Sequence, residues 1–364
     1  MRNVIVLDIG TQYVKAKLSD VFVRESCSED IFSSCKKVVK KLLKESKIKS
    51  EDIILGVNND TLKGKTTTLC LKRENSHNKI DTAELKYLIQ KLEWKALDSI
   101  RKEFRDETEC KDTEIKIIDA FVTDIKIDNR LVADPIGDQG QNICLSVYNT
   151  YASSQALENL EKLADDLKMN LLSIVPNAYA LYHYLSLDKL QKSGALIIDV
   201  GGKLTEITLI KNNGEIIDTK NFHLGGQIVS QALANFLNLK PEDVENIKIQ
   251  YKNGLSVETK KKIDKLFVPS TSFWFKGLKI ILKDFSEKYD SLPNKIFLCG
   301  GGSKMPFIES NLKKEKNLKI LNIEDSNDNK NLSCIALDQL SSNLLEEKNI
   351  FSPILKRVIK LIQN

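Results

Sequence analysis

Long apolar runs are missing from this 364-residue chain, and one class of function goes with them. No stretch approaches the ~20 apolar residues that a helix needs to cross a bilayer. Met1-Arg2-Asn3 leads straight into an apolar segment at 4–7 that is too short for the core of a secretory signal. A cytosolic protein is expected. An excess of one charge is also missing. Lys and Arg number 55 against 50 Asp and Glu, a net charge of +5, and the cations are scattered, so no nucleic-acid partner is expected. Histidine is scarce: His77, His183 and His223 form no cluster. The seven cysteines are odd in number and follow no metal-binding spacing. Cys70, Cys144 and Cys299 lie in strand-like apolar runs and read as buried, reduced thiols. What remains is ordinary soluble composition, 41% hydrophobic and 29% charged, in a chain long enough for two or three domains.

Three glycine-bearing segments carry most of the information: Leu7-Asp8-Ile9-Gly10-Thr11, Ile198-Asp199-Val200-Gly201-Gly202 and Leu298-Cys299-Gly300-Gly301-Gly302-Ser303. Each follows an apolar run that reads as a buried strand. Without a Cβ, such a turn can aim successive N–H groups at an anion. Two of them place an acid just before glycine. Asp8 and Asp199 therefore stand where phosphates would lie between Gly10-Thr11 and Gly201-Gly202. Phosphate beside two carboxylates calls for a cation, and Mg²⁺ suits oxygen ligands and water. Any one of these turns alone could be a tight β-turn with a capping Asp; the three in this order point to a nucleotide held between two similar halves. Strand, glycine turn, strand and hairpin recur after residue 195, a faint internal duplication. Gly225-Gly226 opens a predicted helix from 227 to 237, whose positive end could face phosphate or ribose. Glu245 and Lys248, three residues apart, read on their own as a solvated surface pair.

Residues 81–165 read as an insertion. A capped helix runs to about 104, strand-like stretches follow at 115–120, 121–127 and 142–148, and a further helix spans 153–169. At the other end, Phe351, Ile354, Leu355, Val358, Ile359, Leu361 and Ile362 share one side of a helical wheel, with Lys356, Arg357 and Lys360 opposite or flanking. A basic amphipathic helix of this kind reads as a membrane-surface anchor. The alternative is a last helix packed on the protein's own core.

The three segments, in order, resemble the phosphate-1, phosphate-2 and adenosine motifs of the actin-like ATPase superfamily. Within it the chain is most similar to the FtsA cell-division family, and next to the PilM family of pilus assembly. The resemblance covers nearly the whole chain and implies an α/β fold of duplicated, ribonuclease H-like domains with an inserted SHS2-type 1C subdomain. The implied division is domain 1A at 1–80 and 166–194, 1C at 81–165, domain 2A at 195–240 and 276–340, and a short 2B at 241–275. A linker at 341–350 and a membrane-targeting helix at 351–364 complete it. Glu245-Asn246-Ile247-Lys248 matches the family's nucleoside-contacting Glu-x-x-Lys, and Gly300 to Pro306 matches its adenosine loop. The resemblance implies ATP and Mg²⁺ as ligands, with Asp8, Gly10, Thr11, Asp199, Gly201 and Gly202 on phosphate and metal. It implies Gly225, Gly226, Glu245, Lys248, Gly300, Gly301, Gly302 and Ser303 near the nucleoside. It further implies self-association into filaments, anionic inner-membrane lipids, a tubulin-like FtsZ homologue and later division proteins as partners, on the inner face of the cell membrane.

Departures from the motifs matter. Lys203 and Leu204 replace the third glycine and the threonine of the second phosphate loop, although Lys203 could offer phosphate a charge. Val175 precedes Pro176 where many relatives place a glutamate that orients water, so hydrolysis is expected to be slow or absent. The region between 248 and 285 is short for an FtsA partner-binding subdomain. A PilM-like scaffold with the same ligand is the first rival. A sugar-kinase-type enzyme is the second, and a platform that has lost nucleotide is the third.

Overall fold

The computed structural model describes residues 3–27, 30–108, 114–185, 194–212, 214–239, 244, 257–289, 291–304, 308–314, 318–321, 331–346 and 351–363. Two five-stranded sheets share one plan. In the first, β1 (Val4–Ile9), β2 (Tyr13–Leu18), β3 (Val21–Ser26), β4 (Asp52–Val57) and β9 (Asn170–Pro176) lie in the order β3-β2-β1-β4-β9. In the second, β10 (Ala195–Val200), β11 (Thr205–Ile210), β12 (Ile216–Phe222), β13 (Lys295–Cys299) and β14 (Lys319–Leu321) lie in the order β12-β11-β10-β13-β14. Each sheet begins as an antiparallel meander and continues with two parallel strands. The central strand β1, read Val-Ile-Val-Leu-Asp-Ile, is buried throughout because helices cover both faces of its sheet.

Helices α1 (Ile31–Ser46) and α3 (Ser154–Leu167) cover the outer face of the first sheet. The carboxylate of Asp30 caps α1 by accepting the Phe32 N–H, and the hydroxyl of Ser153 caps α3 by accepting the Ala156 N–H. Between the sheets lie α4 (Asn177–Tyr184) and α8 (Leu332–Glu346), whose Tyr179, Leu181, Leu337 and Leu340 join residues of both sheets in one core. Helices α5 (Gln227–Leu237) and α6 (Val257–Lys288) cover the second sheet's outer face, with Trp274 and Phe285 fully buried there. Buried side chains of this size contribute on the order of 2 kcal/mol each. The glycine turns thus sit on a rigid frame.

A third sheet, β5-β8-β6-β7, is made by β5 (Lys63–Lys72), β6 (Ile115–Ile127), β7 (Arg130–Leu131) and β8 (Asn142–Ser153). One face carries α2 (Thr82–Thr108) and the C-terminal helix α9 (Phe351–Gln363) side by side. This corrects several boundaries read from sequence. Strand β5, assigned to domain 1A, belongs to the inserted sheet, because it pairs with β8 along its whole length. Helix α3, assigned to the insertion, packs Leu160, Leu163 and Ala164 into the first lobe. The stretches at 115–120 and 121–127 are one strand with two register shifts. The linker proposed at 341–350 begins inside α8, and the 2B boundary at 275 falls within α6.

The largest correction concerns α9. Its Phe351, Leu355, Val358 and Ile359 are buried against Leu85, Leu88, Ile89 and Leu92 of α2 and the apolar face of the sheet, with Ile354 partly buried beside them. The face expected to meet lipid is occupied by the protein itself. Lys356, Arg357, Lys360 and Leu361 lie on the exposed side, and the side chain of Ile362 is outside the described residues. Cys70 and Cys144 also depart from expectation. They oppose each other in the β5–β8 register, on the side away from Leu69 and Leu71, and are joined by a disulfide. Cys299 is buried and free, as read.

Candidate functional site

The cleft lies where the two duplicated hairpins meet. At the end of β1 the chain turns through Gly10, whose N–H donates to the Tyr13 carbonyl at 3.1 Å. At the end of β10 it turns through Gly201, whose N–H donates to the Leu204 carbonyl at 2.8 Å. The two turns touch. The Lys203 N–H donates to the Thr11 hydroxyl at 3.1 Å, and a Cβ on Gly202 would lie 2.3 Å from the Cβ of Gln12. No other residue fits position 202 without parting the lobes.

The remaining glycines gather on the second turn. The N–H groups of Gly226 and Gln227 donate to the Gly201 and Gly202 carbonyls at 2.9 and 2.8 Å, pinning the start of α5 there. A Cβ on Gly225 would sit 2.5 Å from the Gly202 carbonyl oxygen. Gly300, at φ 84°, and Gly302 press against Asp199 and Val200 so closely that a Cβ would come within 2.1 Å and 2.7 Å of them. Asp8, Gly10, Thr11, Asp199, Gly201, Gly202, Gly226, Gly300, Gly301 and Gly302 all line the cleft.

Three of the residues singled out in the sequence stand elsewhere. Gly225 supports the wall from behind. Lys203 is exposed; its backbone N–H bonds to Thr11 of the opposite hairpin, and its charge is felt by Cys27 beside that hairpin. Ser303 is buried, and its hydroxyl donates to the Gly300 carbonyl at 2.6 Å, which closes its own turn. Glu245 and Lys248 lie outside the described residues.

Among the cleft residues that escaped the sequence reading are Lys15, Glu206 and Asn177. Lys15 sits opposite Asp8 in the first hairpin and donates its ammonium to Asp8 Oδ2 at 2.8 Å. Burial pushes the Lys15 ammonium down, but the charge and hydrogen bond of Asp8 outweigh it and hold the group above its ordinary value. Glu206 sits opposite Asp199 in the second hairpin. Both partners lie seven residues past their aspartate, so the duplication itself marks them. Asn177, at the start of α4, donates Nδ2 to Asp8 Oδ1 at 3.0 Å.

The electrostatics of the cleft suit a polyanion with a cation. Burial, opposed by Lys15 and helped by Asp8, pushes the Asp199 carboxyl up to about 6. Burial, with the Asp199 charge second, pushes Glu206 up to about 8. Glu206 Oε1 and Asn177 Oδ1 are buried without a hydrogen-bond partner. Orphaned acceptors of this kind mark a site completed by a ligand or water. Among the described residues no three His, Cys, Asp or Glu side chains group to hold a metal by themselves.

Two lobes on one strand plan, with a glycine hairpin from each facing across a cleft, define the actin-like ATPase fold, and the comparisons agree. Over 93% of this chain and 98% of the other, the structure superposes on the PilM-PilN type IV pilus biogenesis complex with a TM-score of 0.63 at 14% identity. MreB5 of Spiroplasma citri bound to AMPPNP matches over 95% and 98% of the two chains, with a TM-score of 0.52 at 12% identity. The family model of the type IV pilus assembly protein PilM matches residues 167–346. Among curated proteins, the cell division protein FtsA of Neisseria meningitidis serogroup B is 30% identical over 137 residues, 37% of this chain and 33% of that protein. FtsA of Helicobacter pylori strain J99 is 26% identical over 148 residues, 41% of this chain and 30% of its own. The chain therefore spans about a third of the length of these curated relatives.

Proposed function

We propose that this chain is an ATP-binding scaffold of the actin-like class, working on the cytoplasmic side of a membrane assembly in the manner of PilM. The observation that carries the reading is the pair of facing hairpins, with Lys15 bonded to Asp8 and within reach of the Asp199 charge. The triphosphate would lie between Gly10-Thr11 and Gly201-Gly202, and the nucleoside between the start of α5 and Gly301-Gly302. The family's Glu245 and Lys248 would complete it. Asp8 and Asp199 would hold Mg²⁺, with phosphate oxygens and water filling the rest of its shell. A bound magnesium ion would neutralise phosphate charge. The chain's own groups orient the phosphates and bias the lobes toward closure.

The docked α9 favours PilM over FtsA, because its apolar face is spent inside the inserted domain. The likeness of the whole chain to the PilM of a PilM–PilN complex supports a partner of the same kind, a cytoplasmic segment of an inner-membrane pilus protein. The FtsA reading draws on the sequence likeness and on the basic, amphipathic pattern of α9. It entails filaments, septal localisation, an FtsZ-like tubulin homologue, later division proteins and insertion of α9 into lipid. Sedimentation with polymers of a tubulin-like division protein separates the two. The PilM reading expects the chain in the supernatant, and co-pelleting at stoichiometric levels would overturn it.

Among the described residues Glu206 is a candidate for orienting water, given Val175 in β9. Glu206 lines the cleft, its Oε1 is buried without a hydrogen-bond partner while the Asn59 backbone bonds to the carboxyl, and its raised pKa suits a group that exchanges a proton near neutrality. Glu206→Gln should keep nucleotide affinity within about threefold and lower whatever hydrolysis exists by at least about 100-fold. Hydrolysis unchanged in Glu206→Gln, measured by phosphate release, would assign the residue a packing role only.

A further inference from the structure

Helices α2 and α9 form a single outer layer, and its solvent side has an unusual make-up. Between residues 85 and 102 of α2 the acids are Glu93, which is fully buried, and Asp98. The exposed residues include Lys86, Lys91 and Lys102, and two large aromatics stand among them: Tyr87 is 53% exposed and Trp94 is 45% exposed. Tyr87 and Trp94 are seven residues apart, two helical turns, so they share a face. The ammonium of Lys91 lies 4.8 Å above the Tyr87 ring. Beside them α9 presents Arg357, Lys360 and Leu361, the last 57% exposed. Lys356 on the same helix opposes the rise that burial imposes on the Asp119 carboxyl.

A solvated helix face of this length has no physical need of an exposed Trp and Tyr. Amphipathic aromatics flanked by lysines suit the boundary between water and lipid headgroups, where the ring is half-buried and the cation meets lipid phosphate. A nucleic acid would meet the same cations but gives no role to Leu361. We propose that the joint outer face of α2 and α9 is a peripheral docking surface for a bilayer containing anionic lipid, used with α9 still folded onto the inserted sheet. The helix then does not insert its apolar side. It contributes cations from the opposite side, while Trp94 and Tyr87 of α2 seat at headgroup depth. No helix among the described residues is long and apolar enough to cross the membrane, so attachment here is superficial and reversible.

The inference deepens the membrane-side placement proposed above, and its test needs neither nucleotide nor protein partner, so the two can fail separately. The chain has two tryptophans. Trp274 is fully buried and bonded to the Thr205 hydroxyl at 2.8 Å, so a change in emission on binding reports Trp94. The full chain is mixed with vesicles of about one-third phosphatidylglycerol in phosphatidylcholine, with vesicles of phosphatidylcholine alone, and with duplex DNA. The expected result is co-sedimentation with the anionic vesicles only, with a blue-shifted emission that brominated lipid quenches and Trp94→Phe abolishes. Lys86→Glu with Lys91→Glu on α2, and Arg357→Glu with Lys360→Glu on α9, should each weaken binding at least about tenfold. All four positions are exposed, and circular dichroism verifies the fold. Four results would overturn the proposal: no binding to anionic vesicles, binding to DNA in place of vesicles, Trp94 emission unchanged on binding, or loss of binding in the α9 pair with the α2 pair unaffected. The last would mean that α9 leaves its seat and inserts alone.

Discussion

Replacing Lys15 with alanine should weaken nucleotide binding by at least about 100-fold and lower the melting temperature as well. Lys15 is 12% exposed at its side chain, and it is bonded to an Asp8 that is 2% exposed. Removing the ammonium leaves Asp8 without its ion-pair partner and Asp199 without the positive charge that opposes its burial. Breaking a buried pair in this way costs about 3–5 kcal/mol, because the surviving charge has lost both water and partner. The bound phosphates would lose their fixed positive charge at the same stroke. The two effects separate in a second variant. Lys15→Met combined with Asp8→Asn removes both charges, so stability should return toward that of the parent while nucleotide affinity does not. Recovery of affinity in the double variant would show that Lys15 serves the fold alone.

The second large effect is stabilising and lies in the inserted domain. Glu93 on α2 is fully buried and accepts one long hydrogen bond, 3.4 Å, from Asn149 Nδ2. Its Oε2 and the Oδ1 of Asn149 are buried without partners. Burial, only partly offset by that bond, pushes its carboxyl from an ordinary 4.5 up to about 7. The folded pKa is raised above the unfolded one. Between about pH 4.5 and 7 the folded state therefore holds a proton that the unfolded state has released, and stability falls as pH rises through that window. Above it the full cost is present. Glu93→Gln carries no charge to bury and supplies a donor where two acceptors lack one. At pH 8 it should stabilise the inserted domain by about 2 kcal/mol, or on the order of 5 °C, and at pH 4 by little. Thermal melts across pH, with hydrogen exchange in α2 as a local readout, test this. Equal stability of variant and parent at pH 8 would mean that Glu93 is already hydrated or paired.

Much of the frame could be read from residues. An apolar run ending in glycine marks where a strand stops in a tight turn, and the structure places the two Asp-x-Gly turns and the triple-glycine turn on one cleft. Helix α5 spans 227–237 as its Gly-Gly start implied. What the sequence concealed follows a common rule. Amphipathicity states that a face seeks cover and not what covers it, so the apolar side of α9 read as a lipid anchor ahead of core. The implied division ran domain 1A to residue 80, because nothing in residues 63–72 themselves says that this segment pairs with β8 of the insertion. Lys15 and Glu206 were legible in principle, since each lies seven residues beyond a motif aspartate, but only once the hairpin register is known. Ser303 matches the motif, and its hydroxyl donates to the Gly300 carbonyl of its own turn.

All of this depends on the cleft between the hairpins taking a nucleotide. Isothermal titration of the full chain with ATP and Mg²⁺, followed by the same titration on Lys15→Ala, is the direct test. The account predicts one saturable site per chain in the parent, competed by ADP and lost in the variant. A parent that gives no saturable heat up to millimolar ATP, or a variant that binds as well as the parent, would contradict it.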